Sequence, residues 1–167
     1  MIKEVLKIGD PRLLEISKPV DASEFKSSAL NELITDMTDT MRHEGGVGIS
    51  AVQIGVHKRI ALIEYDSDNP RYEDTGSCPL TVIINPTLEF IDDEMSDYNE
   101  GCLSVPEQRA TITRPKRVKY SFYNVDGELM TGEDDTFFVR VLQHEVDHMD
   151  GILFPMRVSV NNGLKMF

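Results

Sequence analysis

The sequence has few basic residues, few cysteines and no long apolar run. Lysine and arginine number 17 against 29 acidic residues, so the formal net charge is −12 and we expect no direct binding to nucleic acid. Cys78 and Cys102 are too few for a disulfide framework, and each is either a metal ligand or a buried thiol. No uncharged run approaches the roughly 18 residues of a membrane span, and the first residues lack a signal-peptide pattern. These absences favour a cytoplasmic protein without a membrane partner.

The length and the spacing of apolar residues predict one domain that contains two helices. A chain of 167 residues has the common size of a single domain, so we expect residues 1–167 to form one. Residues 27–43 place five apolar side chains on one helical face. A second helix is predicted over residues 136–151, with Thr136 as its N-cap and Gly151 at its end.

The segments between these helices are predicted to be mainly strands. Residues 59–65 and 80–92 are rich in β-branched side chains, and residues 117–132 predict a hairpin that turns at an Asp-Gly pair. The polar segments 66–79 and 92–100 are interpreted as loops. Because the strands come in a block and do not alternate with helices, we expect an α+β fold.

The second predicted helix carries the pattern His-Glu-x-x-His at residues 144–148. His144 and His148 lie about 40° apart around the helix axis and one turn apart along it, so both imidazoles can bind one metal ion. Glu145 and both histidines fall within the apolar arc of the helix and are expected to face the interior, where an unpaired carboxylate would be costly. The alternative is a pair of surface histidines on a solvated helix.

A catalytic metal site of this type needs a third protein ligand and keeps a position for water. Phe154 stands where metzincin proteases have a further histidine, and no histidine or glutamate follows residue 148, so the third ligand must lie upstream. Besides carboxylates, the upstream candidates are Cys78, Cys102, His43 and His57. We favour Cys102, which follows Gly101 at the end of an acidic segment; the alternative is that it is a small buried hydrophobic residue.

Residues 46–53, GVGISAVQ, form a glycine-rich turn. Their spacing matches a dinucleotide-binding fingerprint, but that motif needs a strand before it and a helix after it, whereas here a helix precedes the turn and Gly55 breaks any helix after it. Exposed backbone amides beside Gln53 instead indicate donors for an extended peptide and a neutral donor for a developing oxyanion. The alternative is an ordinary turn with a surface glutamine.

Three motifs together resemble those of the peptide deformylase family. GVGISAVQ, EGCLS (100–104) and QHEVDH (143–148) correspond to the family patterns G-x-G-L-A-A-x-Q, E-G-C-L-S and Q-H-E-x-D-H, with Ile49 and Ser50 in place of Leu and Ala. Further similarity in GDPRL and VPEQRATITRP extends the resemblance over most of residues 5–155. It implies an α+β fold in which antiparallel or mixed sheets pack around a central metal-binding helix at about residues 136–151.

The resemblance also implies a function. Members of the family are metal-dependent hydrolases that remove the N-formyl group from the formyl-methionine of newly made polypeptides and release formate. The residues that match the ligands of the divalent ion are Cys102, His144 and His148. That ion is usually Fe²⁺ in the family, and Zn²⁺, Ni²⁺ or Co²⁺ suit the same donors. Glu145 matches the general base and acid, while Gln53 and the amide of Leu103 match the groups that bind the formyl oxygen.

The substrate is expected to contact residues near these catalytic groups. Val47 and Gly48 would pair with the peptide backbone, and Gly101 would allow a close approach. Phe137 and Val141 precede His144 on its own helical stripe and are candidates to line the pocket for the methionine side chain; packing in the core is the alternative.

Partners and further roles are also expected from the sequence. A non-catalytic peptide- or metal-binding relative would be expected to lose Glu145 or Gln53, and both are present. Three interpretations of Arg140 are open: it borders the rim of the pocket, it pairs with Asp147 or Asp150, or it faces water; we favour the last two. We expect a monomer whose partners are N-formyl-methionyl nascent peptides.

The last part of the sequence bears on contact with the ribosome. After Phe154 the only basic residues are Arg157 and Lys165, so we expect no long basic tail helix for docking. The sequence leaves open how the protein meets nascent chains, and a transient contact with the ribosome is one option.

Overall fold

Two α-helices and seven β-strands form the described part of the computed structural model, residues 1–72 and 74–158. The helices are α1 (Ser28–His43) and α2 (Phe137–Met149). The strands are β1 (Gly48–Ser50), β2 (Ile60–Tyr65), β3 (Cys78–Phe90), β4 (Met95–Cys102), β5 (Val105–Pro115), β6 (Val118–Tyr123) and β7 (Leu129–Asp134). Both predicted helices and the α+β class are confirmed. The expectation about the tail that contains Lys165 lies outside the described residues.

Five strands make a sheet in the order β1-β2-β3-β6-β7, and every neighbouring pair is antiparallel. β2 is covered on both faces: Ile60 and Leu62 pack in the cluster that contains α1, whereas Ala61 and Ile63 pack in the cluster that contains α2. Because successive side chains of a strand point to opposite faces, a strand buried on both faces is apolar throughout. Residues 59–65 therefore do not alternate between apolar and polar side chains. The second of the two clusters also packs α2 against the sheet.

Local signals fix the ends of the helices, with one exception. The side chain of Ser27 accepts a hydrogen bond from the backbone of Leu30 and caps α1. Thr136 precedes α2 as predicted, but its hydroxyl donates to Asp134 and makes no cap bond to the helix. The predicted N-cap position of Thr136 is therefore confirmed, although its side chain makes no capping hydrogen bond. Gly151 follows α2 with a φ of 73°, the left-handed conformation that ends many helices.

Residues 92–100 are not a loop, because most of them belong to β4, which pairs with β5 in a separate two-stranded antiparallel sheet. In β4 the more buried side chains are Ser96, Tyr98 and Glu100, while the residues between them are exposed. The alternation typical of a strand is thus present, but polar groups occupy the inward positions. A pattern based on apolar residues does not detect such a strand.

Within residues 1–72 and 74–158, no helix is both long enough and apolar enough to cross a membrane.

Candidate active site

Three side chains that can bind a metal meet at the buried face of α2. Cys102 is the last residue of β4, and His144 and His148 lie one turn apart on α2. Their ligand atoms all lie within 4.8 Å of one another, and Cys102 Sγ is 3.3 Å from His148 Nε2. The structure therefore brings together the cysteine from the strand and the two histidines from the helix.

The chemistry of this cluster fits a divalent transition metal. His144 Nδ1 lies 2.9 Å from Glu100 Oε1, and because a carboxylate accepts, Nδ1 carries the hydrogen and leaves the lone pair of Nε2 for an ion. Burial alone would raise the pKa of the Cys102 thiol, but the charge of His148 and hydrogen bonds with both histidines outweigh burial and hold that pKa well below its usual value. A thiolate and two imidazoles form a suitable donor set for iron, zinc, nickel or cobalt.

Glu145 lies beside this cluster, and its side chain is held from two sides. Its Oε2 accepts a hydrogen bond of 2.8 Å from the hydroxyl of Ser50, and its Oε1 lies so close to Gly48 that a Cβ on that glycine would be 2.6 Å away. Burial raises the pKa of Glu145, while electrostatic interactions with His148 and His144 oppose that rise. The carboxylate is therefore buried and fixed next to the potential ligands.

Gln53 is oriented as a donor. It belongs to a 3₁₀ turn that follows β1, and its Oε1 accepts a hydrogen bond of 2.8 Å from the backbone of Ser50. The amide nitrogen Nε2 consequently faces Ser104 Oγ at 3.0 Å and Cys102 Sγ at 3.7 Å. A neutral N–H donor thus lies beside the thiolate.

The favoured interpretations of Arg140 are wrong, whereas the alternative that it borders the pocket is confirmed. This residue is buried, and its guanidinium donates to Glu100 Oε2 at 2.8 Å and to the backbone oxygen of Ser96 at 2.7 Å. It therefore does not face water or pair within α2. Asp147 is bound instead by Arg114 from β5 at 2.7 Å. These polar side chains of α2 are covered by β4 and β5. Neither of these two strands is predicted from the sequence.

Glu100 binds a potential ligand, a contact that its sequence motif does not indicate. Its carboxylate contacts His144, accepts two hydrogen bonds from Arg114 and one from Arg140, and is only 4% exposed. Burial would raise the pKa of Glu100, but hydrogen bonds with His144 and Arg114 outweigh burial and lower it. The ionised carboxylate thus holds the ring of a potential ligand. A rule that ligand histidines usually need a carboxylate or carbonyl partner would have directed attention to this glutamate beside Cys102.

An open cavity of about 430 Å³ adjoins the cluster. At its apolar end, the ring centroid of Phe137 lies 5.0 Å from that of Tyr72 and 5.4 Å from that of Tyr98. Phe137 and Val141 line the cavity and also pack in the core cluster of α2, so core packing does not remove them from the cavity wall. The cavity offers an apolar side chain a place next to the polar cluster.

The structure brings the predicted site residues together around this cavity. His148 is buried and does not line the cavity. The other predicted site residues do line the cavity; they are Val47, Gly48, Gln53, Gly101, Cys102, Leu103, Phe137, Val141, His144 and Glu145. Ser50, Ser104, Arg114, Tyr72 and Tyr98 were not predicted. Their contributions depend on pairings between distant segments, which a single sequence does not display.

A Cys/His/His cluster, a buried glutamate beside it and an adjoining cavity, in an α+β fold, define the class of metal-dependent hydrolases. Known proteins that are similar to this chain belong to one family of such hydrolases. Residues 2–162 match the family model of polypeptide deformylase. Peptide deformylase 2 of Ralstonia nicotianae is 46% identical over 159 residues, which cover 95% of this chain and 88% of that protein.

Solved structures agree with these matches. The Met-Ala-Ser-bound crystal structure of class I type b peptide deformylase from Acinetobacter baumannii superimposes with a TM-score of 0.90 at 37% identity, and peptide deformylase from Thermotoga maritima with 0.82 at 34%. Each comparison covers 95% of this chain and 99% of the other. The chain therefore belongs to the peptide deformylase family, metal-dependent hydrolases that remove the N-formyl group from nascent peptides.

Proposed function

We propose that this chain carries out the deformylation reaction at the cluster of Cys102, His144 and His148. The observation that supports this site most strongly is the position of Glu145, a buried carboxylate that lines the cavity beside all three potential ligands. A relative that only binds peptides or metal would need no such carboxylate. The presence of Gln53 as an oriented donor argues further for catalysis.

The three side chains would hold one divalent ion, and we propose Fe²⁺ as the native one, with Zn²⁺, Ni²⁺ and Co²⁺ as substitutes. When bound, the ion supplies Lewis-acid chemistry: it polarises the formyl carbonyl group and makes a water more acidic. Glu100 orients His144 for this role through the hydrogen bond to Nδ1.

Residues around the ligands would handle the proton and the developing charge. Glu145 takes the proton from the attacking water and later delivers it to the leaving amine. Gln53 Nε2 and the backbone N–H of Leu103 donate hydrogen bonds to the formyl oxygen as negative charge develops on it. Formate and a peptide with a free N-terminus are the products.

The sheet and the cavity support a proposed position for the substrate. Within the part of the chain that the structure describes, β1 pairs only with β2, so its other edge is a place for a peptide strand at Gly48 and at Val47, the residue before it. Gly101, on the lining of the cavity, would allow the peptide to approach. The methionine side chain would enter the apolar end beside Phe137 and Val141. The Acinetobacter baumannii neighbour bound to Met-Ala-Ser supports this choice, because that tripeptide is the product of deformylating formyl-Met-Ala-Ser.

We further propose that residues 1–167 form a single catalytic domain that works as a monomer in the cytoplasm. All the groups assigned to the site come from one chain, so a second copy is not required to complete it. The formylated substrates leave the ribosome in that compartment, which supports the location. A transient contact with the ribosome would bring the enzyme to them.

The proposed function is tested with formyl-Met-Ala-Ser and protein loaded with iron under anaerobic conditions. We expect one formate per peptide from the wild type and a loss of about 10³-fold in kcat for Glu145→Ala with metal content retained. Glu133→Ala, which changes an exposed glutamate, is the matched control and should be fully active. If wild type and Glu145→Ala turn over at equal rates, Glu145 has no part in the mechanism; if no metal supports formate release, the alternative of a non-catalytic binding protein holds.

A further inference from the structure

Ser50 is a fully buried residue that connects the glycine-rich turn to α2. Its hydroxyl oxygen lies 2.8 Å from Glu145 Oε2 and 3.0 Å from the backbone oxygen of the same residue. A hydroxyl has one hydrogen to donate, and an ionised carboxylate is the stronger acceptor of the two. The hydroxyl of Ser50 therefore binds one specific oxygen of the carboxylate that is assigned to proton transfer.

The other carboxylate oxygen is confined as well. Oε1 of Glu145 packs against Gly48, where a Cβ would lie 2.6 Å away, and the residue lines the cavity. With Oε2 occupied by Ser50, rotation of the carboxylate about its last side-chain bond would break a buried hydrogen bond. The contacts on the two sides thus favour one orientation of the group.

We propose that Ser50 is a positioning residue for the reaction: its hydroxyl fixes the carboxylate of Glu145 so that Oε1 is the oxygen that exchanges the proton. This inference rests on the proposed role of Glu145 and adds a residue that the family pattern, with alanine at this position, does not require. The physical reason is that proton transfer depends steeply on the position of the base, and a displacement of about 1 Å can cost about 10²-fold in rate.

The change Ser50→Ala isolates this hydroxyl. The backbone N–H of Ser50 donates to Gln53 Oε1, and this bond does not depend on the side chain, so the orientation of Gln53 is kept. Alanine fits the space that serine fills, and the family pattern has alanine at this position. We therefore expect the variant to fold and to bind metal at the same stoichiometry as the wild type.

The test is a double-mutant cycle with wild type, Ser50→Ala, Glu145→Ala and the double variant, all loaded with iron anaerobically and assayed on formyl-Met-Ala-Ser. We expect Ser50→Ala to lower kcat about tenfold with KM within about twofold. In the Glu145→Ala background, the same change should leave the residual rate unaltered, because the group on which Ser50 acts is gone. Thr40→Val, which removes another fully buried hydroxyl from α1, is the matched control and should alter the melting temperature without altering kcat.

Two results would overturn the inference while leaving the proposed function intact. One is a kcat of Ser50→Ala within about twofold of the wild type; the other is an equal fractional loss in both backgrounds, which would show that Ser50 acts through the fold. Equal rates of wild type and Glu145→Ala would instead reject the proposed function, and the inference with it.

Discussion

Replacement of Glu100 by alanine perturbs the buried charge network behind the metal ligands. The change removes the carboxylate that binds the ring of His144 and that also pairs with the guanidinium groups of Arg114 and Arg140. Arg114 keeps Asp147 as a partner at 2.7 Å, and Arg140 keeps backbone and hydroxyl acceptors. In the variant, each arginine therefore loses one negatively charged partner but keeps other hydrogen-bond acceptors.

The size of the effect follows from burial. Removing one partner of a buried ion pair costs about 3–5 kcal/mol, and because Arg114 and Arg140 retain other acceptors we expect about 3 kcal/mol in the free energy of unfolding for Glu100→Ala. Loss of the group that orients a ligand histidine commonly weakens metal binding by about 10–100-fold. Both effects arise from one carboxylate, so they should appear together in the same variant.

Denaturant unfolding of metal-free protein measures the first effect, and titration with Zn²⁺ or Co²⁺ against a competing chelator measures the second. Glu133→Ala is the matched control, because Glu133 pairs with Arg117 at an exposed position where ion pairs contribute about 0–1 kcal/mol. A loss below about 1 kcal/mol for Glu100→Ala, together with unchanged metal affinity, would refute the assignment of Glu100 as the group that holds His144.

Three further outcomes are expected. Gly48→Ala forces Glu145 Oε1 to move about 0.8 Å to regain ordinary contact, so kcat should fall about 10²-fold. The control Gly127→Ala, in a distant hairpin turn, should lower stability and leave kcat unchanged. Equal kcat values for the two variants would contradict the close contact between Gly48 and Glu145. Val141→Phe places a larger side chain in the cavity and should raise KM for formyl-Met-Ala-Ser about tenfold, and an unchanged KM would remove Val141 from the methionine pocket. Adding Zn²⁺ to metal-free protein at about 100 times its dissociation constant should raise the melting temperature by roughly 5–10 °C, and persistence of this rise in Cys102→Ala would exclude that cysteine as a ligand.

The sequence predicts best the parts of the site that one helix fixes. The spacing of His144 and His148 determines their geometry without any knowledge of the rest of the fold, and the apolar arc of α2 correctly places both histidines in the interior. The arc does not indicate that polar side chains on the opposite side of the helix, such as Arg140 and Asp147, are buried as well. Cys102 was favoured over other upstream candidates on its local sequence, and the structure places its sulfur next to His148. The two helices and the 117–132 hairpin were likewise predicted by local patterns.

The errors share one physical origin. β4 places Ser96 and Glu100 on its inward side, where they bind Arg140, so neither the strand nor the burial of that arginine follows from apolar periodicity. A buried pair of opposite charges looks the same in a sequence as two solvated charges. The link between Ser50 and Glu145 is similar, since it joins residues 95 positions apart.

X-ray absorption at the metal edge tests the central claim most directly, because it reports the ligands of the bound ion in solution. The account predicts one sulfur at about 2.3 Å and two imidazole nitrogens at about 2.0–2.1 Å with an additional oxygen from solvent in the zinc-loaded protein. It also predicts that the sulfur signal disappears in Cys102→Ser. A first coordination sphere without sulfur, or one closed by a fourth side chain, would contradict the proposal that this cluster is a catalytic metal centre.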